Sequence, residues 1–137
     1  MSMVQDTLDS IHALLVATLP STYTVQKHYT SLNSLTIRDY PLAMIFNPEG
    51  AGERLPHKQL RKAVGYTIFL VRTPQSTDSP TAHEDMRQEV SDIIDATEAD
   101  TTLSGVTEDL YTQDWVVDEM QETRTLARMS LAAVRTT

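Results

Sequence analysis

The sequence predicts an α+β domain, a mixed or antiparallel β-sheet with two helices packed on one face, in the order α-β-β-β-α-β-β. Three observations carry this reading. Two segments repeat apolar residues at helical spacing, several runs of strand length are apolar or alternating, and short connections between successive strands favour antiparallel or mixed pairing. A chain of 137 residues that is 40% hydrophobic and 22% charged has the size and composition of one globular domain, 1–137.

In the first element Val4, Leu8, Ile11, Leu15 and Leu19 recur at helical spacing and Pro20 follows, which predicts a helix over 3–19. Tyr23 to Lys27 is rich in β-formers and predicts a short strand, followed by a turn at Leu32 to Leu35. Pro41 to Phe46 is apolar on both faces and predicts a central buried strand, with Asn47-Pro48-Glu49-Gly50 as the turn that stops it. From Ala63 to Arg72, Val64, Tyr66, Ile68 and Leu70 fall on one face and Gly65, Thr67, Phe69 and Val71 on the other, so this strand too is covered on much of both sides. Between these two strands, Asn47 to Lys62 reads as a long loop and hence as the first region to consider for contacts.

Beyond the polar stretch Thr73 to Pro80, Thr81-Ala-His-Glu84 has the form of a capping box. It predicts a helix over 81–98 with Met86, Val90, Ile93, Ile94 and Thr97 on the buried side and Asp85, Glu89 and Asp92 as a solvated acidic stripe. Past Gly105, Glu108 to Val117 predicts a strand. Arg124 to Arg135 alternates Thr125, Ala127, Met129, Leu131 and Ala133 on one face, but its alanines and methionine also suit a helix. The alternation favours a strand paired with 108–117.

Several functional classes lose support from residue chemistry alone. With no cysteine there is no disulfide, thiolate metal site or cysteine nucleophile. The start of the sequence lacks the positive character of a secretory signal, and Ala13 to Ala17 and Leu42 to Phe46 are far below membrane-spanning length, so residence in the cytoplasm with no membrane partner is expected. A net charge of −8 repels phosphate backbones at long range. His12, His28, His57 and His83 have no metal-binding helical spacing. No Gly-x-Ser-x-Gly elbow or phosphate loop can be assembled around Gly50, Gly52, Gly65 and Gly105. The cluster His83-Glu84-Asp85 is accounted for by helix capping, and nothing in sequence brings carboxylates such as Glu49 and Glu53 together. No enzyme activity, metal or cofactor is expected.

One segment departs from the acidic background. Arg54, His57, Lys58, Arg61 and Lys62 lie close together and include four of the eleven Lys and Arg side chains. They read as a hydrated loop and strand entry, as a surface that docks on an acidic partner, for instance the stripe Asp85, Glu89 and Asp92 of a neighbouring copy, or, with least support, as a DNA contact. Tyr111 and Trp115, placed on one strand face, read as core side chains, with interface anchors as the alternative.

The succession of an N-terminal amphipathic helix, the strand Tyr40-Pro41-Leu-Ala-Met-Ile-Phe46, a long loop, the strand Gly65-Tyr-Thr-Ile-Phe-Leu-Val71, a capped helix and a final β pair resembles the tail terminator proteins of tailed bacteriophages and related head-to-tail neck proteins. The resemblance covers nearly the whole chain. It implies a virion structural protein that assembles in the host cytoplasm into a homo-oligomeric, hexameric ring. Such a ring caps the tail tube, stops its polymerisation, joins it to the head-to-tail connector protein and lets DNA pass through its lumen without specific binding. A head-completion or head-to-tail joining protein, or a monomeric non-viral binding module, is the alternative. Closed rings require two complementary patches on each subunit, for which the basic segment and the acidic stripe are the sequence candidates.

Overall fold

The computed structural model describes residues 3–31, 34, 41–72, 80–103, 105–121 and 124–136. The elements follow in the predicted order. They are α1 (Met3–Thr18), β1 (Thr24–Gln26), β2 (Leu42–Arg54), a 3-10 turn (Pro56–Lys58), β3 (Leu60–Arg72), α2 (Pro80–Ala99), β4 (Asp109–Gln121) and β5 (Arg124–Thr136). One five-stranded sheet has the strand order β1-β2-β3-β5-β4. The pair β1–β2 is parallel, and the pairs β2–β3, β3–β5 and β4–β5 are antiparallel.

Strand alternation decides what each face carries. Ala43 and Ile45 of β2, Tyr66, Ile68 and Leu70 of β3, and Ala127, Met129, Leu131 and Ala133 of β5 form one buried cluster with Ile11 and Leu15 of α1 and Met86, Val90 and Ile93 of α2. The two helices therefore cover one face, as predicted. On the other face a smaller cluster of Leu42, Met44, Val71 and Leu126 sits at the end of the sheet away from the β2–β3 turn. Phe46 and Phe69 pack beside it edge to face, with ring centroids 4.9 Å apart. β3 is thus covered on both sides at this end, which is what its near-continuous apolar sequence encodes.

Four local expectations are corrected. Val4 does not join the buried face of α1. It is 42% exposed while Thr7, Ile11 and Leu15 are buried, and its carbonyl accepts a hydrogen bond from the Tyr66 hydroxyl at 2.7 Å. α2 begins at Pro80, so Thr81 lies inside the helix and not at its cap; proline's fixed φ and missing N–H suit a first helical position. Asn47 to Gly50 does not stop β2. Phe46 pairs with Thr67 and Glu49 with Gly65, so Asn47 and Pro48 together span Tyr66 in a bulge and the strand then runs on to Arg54. Proline is tolerated there because β1 pairs with Leu42, Ala43 and Met44, so that among the described residues this part of β2 is an edge that needs no N–H from Pro48.

The fourth correction follows from the third. Asn47 to Lys62 is a β-hairpin and not a long loop. Outside the strands only Leu55 to Gln59 remains, closed by the Leu55 N–H donating to the Gln59 carbonyl at 2.8 Å. Of the turn predicted at Leu32 to Leu35 only Ser34 is described, its N–H donating to the Ser31 carbonyl at 2.9 Å. The polar stretch 73–79 lies outside the described residues.

Candidate interaction surfaces

The basic residues occupy the far end of the β2–β3 hairpin. Asp109, the first residue of β4, pairs with Val134, which pairs with Ala63, which pairs with Ala51. Residues 52–62 therefore extend past the start of β4, with Arg135 and Thr136 of β5 alongside Lys62 and Arg61. Arg54, His57, Lys58, Arg61 and Lys62 are all exposed. Among the described residues none of the four Arg and Lys side chains makes an ion pair. At the tip His57 and Lys58 hold positive φ values of 64° and 63°, a left-handed conformation that strains a residue with a Cβ.

The acidic stripe of α2 divides. Asp85 is exposed and Asp92 half-buried, but Glu89 is 5% exposed, so it is not part of a solvated face. Arg72, the last residue of β3, forks onto its carboxylate, with its Nη2 at 2.6 Å from Oε1 and 3.0 Å from Oε2 and its Nε at 3.0 Å from Oε1. The same guanidinium lies 5.3 Å from the centre of the Tyr23 ring. Burial raises Glu89 above the ordinary carboxylate value despite its neighbours, and burial also raises the Tyr23 hydroxyl. Arg72 and Arg61 are eleven residues apart on β3, about 36 Å at strand rise. The structure therefore sets the basic arm and the acidic stripe at opposite ends of the subunit and does not bring them together within one chain.

Tyr111 and Trp115 are not core residues. They are 44% and 52% exposed, and Val116 is 44% exposed. They also do not share a face. Thr112 pairs with Leu131 and Asp114 with Ser130, so Gln113 is an extra residue that reverses the alternation. Trp115 consequently opposes Met129 on the helix side, while Tyr111 opposes Ala132 on the other. Sequence alternation missed this because a bulge carries no mark in composition. A cleft of about 280 Å³ opens between α2 and β4, lined among others by Ile94, Thr97, Glu98, Asp109, Thr112 and Trp115.

Two larger grooves, each of about 540 Å³, flank the helices. One is apolar and runs between α1 and α2 past Ala13, Leu14, Ala17 and Ala96. The other holds Arg72 together with Asp85, Glu89 and Asp92. Glu49 and Glu53 stand four residues apart along β2, about 13 Å, too far to share a proton. His12 contacts the Val25 carbonyl at 3.1 Å, a packing role at the α1–β1 junction. Among the described residues no three His, Asp or Glu side chains converge as metal ligands, and no helix is long and apolar enough to cross a membrane.

These features define a class by architecture: an α+β sheet domain with an extended basic hairpin, two sheet edges that are unpaired among the described residues, and exposed aromatics on one of them. The same fold occurs in a chain from a structure described as the virion of a native gene transfer agent particle. The likeness covers 98% of both chains with a TM-score of 0.65 at 12% sequence identity. No protein-family model and no curated protein matches the sequence.

Proposed function

We propose that this protein is a structural component of a phage-like virion, and within that class a tail terminator, forming a ring that ends the tail tube and meets the head connector. The observation that carries the reading is the shared fold over 98% of both chains with a protein of a gene transfer agent virion. Two features are compatible with a ring. A basic arm and acidic surfaces lie on separate parts of the subunit, as head-to-tail contacts require. A net charge of −8 per subunit disfavours adhesion of DNA passing through a lumen.

The test is assembly followed by capping. Light scattering across a concentration range, with negative-stain images of the same samples, should show a closed ring with a central hole. Added to polymerising tail-tube protein of the same particle, the protein should shorten the tubes and sit at their ends. Tubes of unchanged length with no end density would remove the terminator reading, and a chain that never assembles would favour a monomeric binding module.

A further inference from the structure

We propose that the basic arm of one copy docks into the α2–β4 cleft of the next, with a Lys or Arg side chain of residues 54–62 lying against the exposed indole of Trp115 between Glu98 and Asp109. This inference rests on the ring reading and names the contact that would build the ring. Three observations lead to it. Arg54, Lys58, Arg61 and Lys62 project past the start of β4 without ion-pair partners among the described residues. The cleft offers two carboxylates and a half-exposed indole, the combination that receives a cation both by charge and over an aromatic face. Such an aromatic, partly enclosed and rimmed by polar groups, is the usual form of an interface anchor.

The choice between the acidic surfaces follows from their linings. In the groove beside Asp85 and Asp92 the Glu89 carboxylate is already compensated by the guanidinium of Arg72, and the lining offers no aromatic face for a cation to lie against. The residues lining the α2–β4 cleft include no Lys or Arg. The arm belongs to the β2 side of the sheet and the cleft to the β4 edge, three strand spacings away, or about 14 Å. A contact between different surfaces on the two partners is heterologous, so each copy offers one arm and one cleft and the arrangement can propagate until it closes.

The chain contains a single tryptophan, so Trp115 itself reports the contact. Emission and quencher accessibility are followed for the whole protein as concentration drives association measured by light scattering. The docked state gives blue-shifted, shielded emission. Arg61→Glu with Lys62→Glu, and separately Glu98→Lys with Asp109→Lys, each raise the dissociation constant by on the order of tenfold or more, with unchanged circular dichroism. Mixing the two variants restores association, because the introduced carboxylates then meet the introduced lysines and each unaltered arm meets an unaltered cleft. An oligomer whose Trp115 emission equals that of the monomer overturns the docking and leaves the ring. So does rescue of the arm variant by Asp85→Lys with Asp92→Lys in place of the cleft variant. A monomer at every concentration overturns the ring reading and the docking with it.

Discussion

Glu89 shows how far a helical pattern can mislead about one side chain. Asp85, Glu89 and Asp92 share a helix face by spacing, and that face reads as solvated until β3 delivers Arg72 to it across seventeen residues. Sequence gives the face but not where the protein surface cuts across it. Arg72→Met should leave the Glu89 carboxylate buried without its cation and cost about 2–3 kcal/mol in chemical denaturation. Adding Glu89→Leu to it should recover most of the loss; a double variant as unstable as the single would mean that the guanidinium matters through packing on Tyr23 and not through charge. The titration has a definite sign. Burial raises Glu89 above its ordinary value of 4.5, so between that value and the raised one the folded state keeps a proton the unfolded state has released. Stability therefore falls as pH rises through this window and levels off above it. Thermal melts of Glu89→Gln should lose that slope, and an unchanged slope would assign it to other groups.

At the scale of elements, both helices and all five strands were legible, because each has either a helical apolar repeat or a run of β-formers. The ends were not. Asn47-Pro48-Glu49-Gly50 has the composition of a turn, yet an edge strand can absorb it as a bulge, since Pro48 withholds an N–H that no neighbour among the described residues requires. The true turn, Leu55 to Gln59, contains no glycine and keeps His57 and Lys58 left-handed at a cost. This separates two roles of Lys58. Lys58→Gly should relax the tip and change stability by less than about 1 kcal/mol in the favourable direction, the greater freedom of glycine in the unfolded chain offsetting part of the gain. It also removes one positive charge from the arm, so association weakened in a variant whose melting point is unchanged or higher would have to come from charge. A lower melting point would show that the Lys58 side chain, and not the backbone, stabilises the turn.

For the whole molecule, topology followed from the sequence more readily than surfaces did. Element order and apolar faces are written in local patterns, whereas the cleft beside Trp115 depends on a bulge at Gln113 and on the neighbourhood of α2, neither of which the sequence displays. Salt tests how the charges act across the assembled molecule. Each subunit carries −8, and a domain of this size has a radius of gyration of about 14 Å, so neighbouring centres lie about 30 Å apart. Repulsion at that distance is felt when the Debye length is about 30 Å, near 0.01 M salt, and is largely screened at about 8 Å, near 0.15 M. Contact pairs between arm and cleft, a few ångström apart, survive that change and weaken only as the screening length approaches about 3 Å near 1 M. Association measured by light scattering should accordingly strengthen from 0.01 to about 0.15 M salt and weaken again toward 1 M. A steady strengthening to the highest salt would mean that apolar burial alone holds the copies together, because only repulsion would then be left for the salt to remove.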